Sequence, residues 1–255
     1  MTTKIAICQL KGGEAKTTTA FNVGSQLAKR GHRVLLIDLD PQANLSSTCN
    51  LTRDQLKENN IYEMIKAKEA NYFNLSDNLS IIPSHLTLTN FEGEFLVKPA
   101  KELILQKLLK PIEKDFDFII LDCNPSLGLN VVNAFVVADY IILPSQAEDY
   151  SLDGLENLLD AYYYYKQELD FAGQPLGIVL TRVDNQLNLH KAKIKEVREK
   201  FGDLVFDTII RDNISVSEAQ NAKQNIFDYS PKSHGAEDYK QLTQEILDRL
   251  NINKD

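Results

Sequence analysis

Short apolar runs alternate with helical stretches along the chain, and this alternation constrains the fold more than any other feature. The apolar runs predict strands at residues 5–8, 34–37, 79–83, 118–122, 140–144, 176–180 and 205–210. Apolar residues at helical spacing predict helices at 17–30, 99–114, 129–137, 151–168, 190–201 and 235–250. Runs that are apolar throughout are typical of strands buried inside a parallel sheet. The sequence therefore predicts an α/β fold, a doubly wound and mostly parallel twisted sheet with helices on both faces.

The length of the chain favours one unit of this kind. A chain of 255 residues can bury a sizeable core without a second domain. It contains no repeat, no low-complexity tract and no clear linker, so we expect a single domain over residues 1–255. We interpret residues 41–98 as a solvated excursion from the sheet, with short helices at 51–70 and a polar loop at 71–78.

Composition excludes several classes of protein. Cys8, Cys49 and Cys123 are few, scattered and free of CxxC pairs, which argues against a disulfide framework or a zinc site and favours reduced thiols in a cytosol. No apolar run has the length of a membrane span, and the N-terminus lacks the pattern of a signal peptide. The net charge of −8 means that any binding to nucleic acid needs a local basic patch.

A glycine-containing turn links the first strand to the first helix. It reads Lys11-Gly12-Gly13-Glu14-Ala15-Lys16-Thr17-Thr18. Backbone N–H groups of such a turn, together with the N-terminus of the following helix, form a cradle for phosphate oxygens. Lys16 would reach the β and γ phosphates, and the Thr17 hydroxyl would bind Mg²⁺. A plain turn is the alternative, but a lysine and a threonine at the helix start disfavour it.

This stretch resembles the deviant Walker A motif, KGGxxK[ST], of the ParA/MinD family of P-loop ATPases. The resemblance implies ATP and Mg²⁺ as cofactors and a homodimer that sandwiches two nucleotides. It also implies that Lys11 crosses the dimer and contacts the phosphates of the other subunit. The family usually has glycine where this chain has Ala15. If that position needs a positive φ, alanine costs on the order of 1 kcal/mol relative to glycine. Glu14 is a second departure, because it brings a carboxylate close to a polyphosphate.

Three carboxylates follow predicted strands. Asp38 and Asp40 end the second strand, and Asp122 ends the strand at 118–122. Ligands of open α/β sheets bind beyond the carboxyl ends of the strands, so we expect these acids beside the glycine turn. A single acid there is as often a turn former or helix cap. The segments IDLDPQANL and IILDCNPSLG resemble the family's Walker A′ and Walker B regions. By that resemblance Asp40 positions the attacking water and helps to hold Mg²⁺, Asp122 holds Mg²⁺ through water, and hydrolysis is slow.

The late part of the chain continues the resemblance. The segment 181–184 and the segments 209–213, 217–219 and 229–236 are similar to the family's late motifs. By position Arg182, Arg211 and Asp212 are candidates to line the adenine. Surface salt bridges are the alternative role for these three side chains.

One stretch of the acidic chain is basic. Residues 182–200 carry six basic and three acidic side chains. Lys191, Lys195 and Arg198 share one face of the predicted helix, which is the pattern of non-specific phosphate contact or of an ordinary solvated face. ParA-type relatives bind DNA without sequence preference through this region. The candidates for DNA contact are Lys191, Lys195, Arg198, Lys200, Lys223 and Lys232.

The sequence thus favours a ParA-type partition ATPase, cytoplasmic and nucleoid-associated when bound to ATP, with a ParB-like or cargo-adaptor partner. The alternative is a MinD-like positioning ATPase on the membrane. That function needs an amphipathic basic C-terminal tail. Tyr239, Leu242, Ile246 and Leu250 form a stripe that predicts a core-packing helix instead, so membrane binding ranks below DNA binding. A third alternative is a relative that transfers electrons or inserts metal clusters. Such relatives need paired cysteines at the dimer axis, which we do not expect Cys8, Cys49 and Cys123 to supply.

Overall fold

The apolar runs form the centre of one sheet in the computed structural model, which describes residues 2–147 and 151–252. The strands are Thr3–Ile7 (β1), Val34–Asp38 (β2), Phe73–Ser76 (β3), Leu79–Ile82 (β4), Phe118–Asp122 (β5), Tyr140–Gln146 (β6) and Gln174–Thr181 (β7). Their spatial order is β3-β4-β2-β5-β1-β6-β7. All neighbours are parallel except β3, which runs antiparallel to β4. The predicted fold class is confirmed.

Helices cover both faces of the sheet. They are Lys16–Lys29 (α1), Asn44–Ser47 (α2), Arg53–Glu58 (α3), Ile61–Ala67 (α4), Asn90–Phe95 (α5), Ile104–Leu109 (α6), Leu129–Val137 (α7), Ser151–Leu169 (α8), Asn188–Phe201 (α9), Ile214–Asn221 (α10), Ile226–Tyr229 (α11) and His234–Arg249 (α12). Among the described residues, no helix combines the length and apolarity needed to cross a bilayer.

The core lies in two layers because the central strands are apolar on both faces. Every residue of β2 is buried. Leu35 and Ile37 pack into a front layer with α4 to α9, and Val34 and Leu36 pack into a back layer with α1, α2 and α10 to α12. The alternation of side chains along a strand sends successive residues to opposite layers. The sheet thereby holds α1 on one side and α9 on the other.

The prediction of a strand at 205–210 is wrong, because this segment does not form a regular strand. This segment follows the outer edge of β7 through separated contacts: Phe206 N donates to Ile178 O at 2.8 Å, and Ile210 N donates to Leu180 O at 2.8 Å. Between them, the N–H groups of Asp207 and Thr208 donate to the Glu245 carboxylate. Because α12 captures these donors, they are not available for a strand ladder.

The helix predicted at 99–114 is also wrong in its extent. Only α6 is α-helical, and short 3₁₀ turns at Lys101–Leu103 and Glu113–Asp115 flank it. Pro111 lacks a backbone N–H and cannot continue the helical hydrogen bonds, so α6 ends before it. Ala100, with a left-handed φ of 54°, prevents a regular helix from extending through residues 99–101 on the N-terminal side.

Residues 41–98 are not the solvated excursion that the sequence suggested. Ile61, Ile65, Phe91 and Phe95 from this region are buried in the front layer. The polar segment 71–78 contains β3, which pairs with β4 at the edge of the sheet. Only alternate residues of β3 are partly buried, so its short apolar pattern was too weak to predict.

Candidate nucleotide site

The glycine turn joins β1 to α1 in a strained backbone conformation. Gly13 has φ 87° and Ala15 has φ 62°, both left-handed. Ala15 is the residue before the first turn of α1, and its methyl side chain cannot cap the N-terminus of the helix. The first N–H groups of a helix have no partner within the helix, so an anion at this end would satisfy them. Ala15 therefore adopts a positive φ, which is the conformation in which alanine is less stable than glycine.

Lys16 begins α1 and folds back over the turn. Its side chain is 7% exposed, and Nζ donates to the Lys11 carbonyl at 3.2 Å. Thr17 and Thr18 follow in the first helical turn and are half-buried. The structure thus brings Lys16 and both threonines to the cradle that the sequence predicted for phosphates.

Lys11 and Glu14 form an ion pair across the turn. Nζ of Lys11 lies 3.5 Å from Glu14 Oε1, with the lysine side chain 45% exposed and the glutamate 1% exposed. The backbone N–H of Gln146, at the end of β6, donates to Glu14 Oε2. The Gln146 side-chain amide donates to the Gly13 carbonyl at 2.5 Å. Sequence reasoning missed Gln146, which lies 132 residues from Glu14 and belongs to no motif.

Asp38 and Asp122 lie side by side at the carboxyl ends of β2 and β5. They are paired in register, and both are fully buried. Asp38 accepts hydrogen bonds from Ser46 N at 2.9 Å, Ser46 Oγ at 2.6 Å and Asp40 N at 3.0 Å. Burial nevertheless raises the pKa of Asp38 to about 6.

Asp122 has a different environment. Neither of its oxygens accepts a hydrogen bond of good geometry from the residues that the structure describes. Burial, and then the charge of Asp38, raises its pKa well above the ordinary range, and Thr17 and Lys16 oppose this rise only in part. A buried carboxylate without donors is costly in free energy unless a cation compensates it. Asp122 and Thr17 therefore fit a water-coordinated Mg²⁺, which prefers such oxygen donors.

Asp40 lies two residues beyond the end of β2. It is half-buried, and its Oδ1 accepts the N–H of Gln42 at 2.9 Å. The described residues contain no group of three acidic, histidine or cysteine side chains that could hold a metal by themselves. A divalent cation here would depend on Thr17, on waters and on oxygens of a bound phosphate.

The three predicted base-lining residues lie around one cavity of about 220 Å³, which also touches Gly13 and Ala15. Arg182, at φ 52°, and Asp212 are exposed, with Nε and Oδ1 3.8 Å apart. Arg211 is more firmly held. Its Nη2 lies 2.5 Å from Asp238 Oδ1 and 2.7 Å from Glu237 Oε2, both on α12. These two carboxylates raise the pKa of Arg211 above its already high ordinary value.

The candidate DNA-binding residues belong to helices on both faces of the sheet. Lys191, Lys195, Arg198 and Lys200 lie on α9, which packs in the front layer through Val197. Lys223 follows α10 and Lys232 precedes α12, and both of those helices pack in the back layer. The charge of a side chain does not indicate on which face of the sheet its helix packs. The sequence therefore could not separate the basic residues on α9 from those beside α10 and α12.

Acidic neighbours partly offset the basic face of α9. Lys195 lies 3.5 Å from Glu199, and Lys200 lies 2.5 Å from Glu156 of α8. Arg198 donates to the Asp207 carbonyl at 3.0 Å. These pairs are exposed and therefore weak, so the basic side chains can leave their acidic partners and bind phosphate instead.

Two of the cysteines are neighbours, which the sequence did not predict. Sγ of Cys8 lies 3.3 Å from Sγ of Cys123, where β1 and β5 run side by side. Both thiols are buried. The hydrogen bond with Cys8 and burial raise the pKa of Cys123, which makes that thiol unreactive.

Strand, glycine turn, helix and strand-end carboxylates together define a P-loop nucleotide-binding protein. A family model described as an AAA domain matches residues 2–174. Over 251 residues the chain is 36% identical to the sporulation initiation inhibitor protein Soj of Bacillus subtilis, covering 95% of this chain and 97% of that protein. It is 35% identical to the chromosome partitioning protein ParA of Myxococcus xanthus, covering 96% and 88%. The chain belongs to the ParA/MinD family of P-loop ATPases, with the ParA-type partition ATPases.

Solved structures share the fold. Apo McdA from Cyanthece superimposes with a TM-score of 0.86 over 98% of this chain and 100% of that chain, and at 23% identity the likeness concerns the fold. Cobyrinic acid a,c-diamide synthase from Mycobacterium smegmatis, solved with a bound ATP analog and magnesium, superimposes with a TM-score of 0.82 at 26% identity, covering 98% and 96%.

Proposed function

We propose that this ATPase is a nucleotide-switched dimer that binds DNA without sequence preference and releases it on hydrolysis. ATP and Mg²⁺ are its cofactors, and a ParB-like or cargo-adaptor protein stimulates the hydrolysis. The cycle would segregate or position a cargo such as a plasmid, a chromosome origin or a protein organelle. In the cell the ATP-bound form would be associated with the nucleoid.

The observation that carries this proposal is the different exposure of two lysines in one loop. Lys16 is buried against its own turn, whereas almost half of the Lys11 side chain is exposed. Lys16 is thus placed to bind the phosphates of its own nucleotide. Lys11 can reach outward to the phosphates of a second subunit, where each nucleotide would be sandwiched between the two chains.

The same geometry supports a set of roles in hydrolysis. Residues 11–18 would cradle the phosphates, Thr17 and Asp122 would hold Mg²⁺, and Asp40 would orient the attacking water. Mg²⁺ supplies charge neutralisation on the phosphates when it is bound. Lys16 and Lys11 stabilise the negative charge that develops on the transferred group. No strong base faces the site among the described residues, which suits slow turnover.

The adenine would occupy the cavity between α1 and α10. Arg182, Arg211 and Asp212 line it. Several hydrogen bonds to Asp238 and one to Glu237, both on α12, hold Arg211 in place. A rigid guanidinium offers a flat surface on which a base can stack. We expect the exposed pair of Arg182 and Asp212 to reorganise around the base.

Two variants test the ATPase part of the proposal. Lys16→Ala should abolish binding of ATP·Mg²⁺ measured by titration calorimetry, whereas Lys29→Ala, at the other end of α1, should bind normally. Asp40→Ala should bind ATP and dimerise but hydrolyse it at least about 100-fold more slowly. Normal turnover by Asp40→Ala would contradict the role of this carboxylate.

A salt titration tests the DNA part. Binding to a random-sequence duplex should require ATP and weaken with salt, because cations are released from each neutralised phosphate. Replacing Lys191, Lys195 and Arg198 by alanine should lower the slope of log affinity against log salt by about 0.9 for each phosphate that is no longer neutralised. A matched triple alanine variant of the exposed Lys66, Lys107 and Lys110 removes the same charge elsewhere and should keep the slope. Equal effects of the two triple variants would show that α9 is not the DNA surface.

Membrane binding is the alternative outcome. Tyr239, Leu242 and Ile246 of α12 are buried in the back layer, so this amphipathic stripe is used for packing. Liposomes containing anionic lipid should therefore not bind the ATP form. Binding to these liposomes, without binding to DNA at low salt, would favour a MinD-like positioning ATPase instead.

A further inference from the structure

The glycine turn at residues 11–18, called the phosphate loop from here on, contains a buried acid that phosphate binding does not require. Glu14 lies between the two left-handed residues of the loop, and its carboxylate is shielded from solvent. Burying a carboxylate is unfavourable unless charged groups or N–H donors compensate it. The loop therefore has to hold partners for Glu14 in the nucleotide-free protein.

Two partners of Glu14 differ in mobility. The first is the backbone N–H of Gln146, and the Gln146 side chain also binds the Gly13 carbonyl, so the acid is fixed to the end of β6. The second is the ammonium group of Lys11, 3.5 Å from Oε1. Lys11 reaches Glu14 from a half-exposed position, so the lysine is the partner that can leave.

The same ammonium group would bind phosphate across the dimer. A carboxylate and a phosphate are both anions, and one ammonium charge cannot neutralise both fully. Binding to phosphate on a second subunit therefore weakens the ion pair with Glu14. An ion pair with one buried member is screened less by water and salt than a surface pair, so this competition affects binding.

We propose that Glu14 is a positioning residue that holds Lys11 on its own subunit and thereby raises the ATP concentration needed for two subunits to pair. The inference rests on the ATP-driven dimer of the proposed function. Without nucleotide, Lys11 stays on Glu14 and does not attract a second chain. With ATP bound on both subunits, the phosphates outcompete the carboxylate.

The first test measures Lys11 in the nucleotide-free protein. Its rate of acetylation by an amine-reactive ester, followed by mass spectrometry, should rise about fivefold in Glu14→Gln, because the amine loses the charge of a carboxylate that lies 3.5 Å away. Glu199→Gln is a matched control, since Lys195 lies at the same distance of 3.5 Å from Glu199 but both side chains are mostly exposed. Acetylation of Lys195 in that variant should change by less than about twofold.

The second test measures pairing. The concentration of AMPPNP·Mg²⁺ that gives half-maximal dimer in sedimentation experiments should fall about fivefold in Glu14→Gln and stay unchanged in Glu199→Gln. If Glu14→Gln melts at a much lower temperature than the wild type, Glu14→Ala replaces it in both measurements.

The two readouts separate the possible failures. Faster acetylation together with a lower AMPPNP requirement supports the proposal. An unchanged acetylation rate shows that Glu14 does not hold Lys11, and faster acetylation with an unchanged requirement shows that the pair does not control pairing. Either result overturns the proposal. If the wild type forms no dimer with AMPPNP, the proposed function fails, and acetylation still decides whether Glu14 holds Lys11.

Discussion

Ala15→Gly should stabilise the nucleotide-free protein, although replacing alanine by glycine usually lowers the free energy of unfolding. Ala15 has φ 62° and ψ 25°, in the left-handed region. An alanine there is strained by about 1–2 kcal/mol, because Cβ approaches the following carbonyl oxygen. Glycine removes the strain but gives the unfolded chain more conformational entropy, which costs about 0.4–1 kcal/mol. The net gain in the free energy of unfolding is about 0.5–1 kcal/mol.

The assay is thermal and urea unfolding without nucleotide. For a chain of this size the expected rise in Tm is about 1–3 °C, with an unchanged urea m-value. The matched control is Ala192→Gly, because Ala192 is exposed within α9, where the backbone is helical. The same substitution there should lower the free energy of unfolding by about 1 kcal/mol. If Ala15→Gly lowers Tm as Ala192→Gly does, the strain assigned to the loop is absent.

Three further substitutions have expected outcomes measured by urea unfolding. Asp122→Asn should stabilise the nucleotide-free protein increasingly as pH rises above about 4, the ordinary pKa of an aspartate. The raised pKa makes Asp122 of the folded wild type hold a proton that the unfolded chain releases, so the wild type loses more stability with rising pH than the variant, which keeps only the raised pKa of Asp38. A pH-independent difference would refute this. Tyr162→Phe should be neutral or stabilising by up to about 1 kcal/mol, since the buried hydroxyl has no hydrogen-bond partner among the described residues; a clear loss of stability would reveal a hidden partner. Gly177→Ala should destabilise by about 1–3 kcal/mol, because the added Cβ would lie 2.5 Å from a ring carbon of Phe206; wild-type stability would show that the ring moves freely.

The sequence predicted the central strands well because parallel strands buried on both faces need uninterrupted apolar runs. β5 was predicted with its observed bounds, and its final residue, Asp122, was placed correctly at the edge where strands end. The edges of the sheet were harder. β3 is short and half-exposed, so it has no distinctive local pattern. The segment at 205–210 has the apolar pattern of a strand, but two of its N–H groups donate to Glu245 of α12 instead of to a strand ladder.

The part of the site that could not be predicted consists of long-range contacts. Gln146 reaches the phosphate loop from the end of β6, and Asp238 holds Arg211 from α12. Neither contact has a spacing that a sequence motif records, because both depend on how the strands and helices assemble. By contrast, the Lys11-to-Thr18 motif is local, and its backbone follows from the residues within it.

The edges of the sheet have a consequence for behaviour at high concentration. On one side the segment 205–210 lies along β7 and takes up the Ile178 and Leu180 carbonyls, and on the other side β3 is only four residues long with an irregular register. Short, irregular or covered edges discourage strand addition between molecules. The protein should therefore tolerate a high local concentration without forming β-linked aggregates.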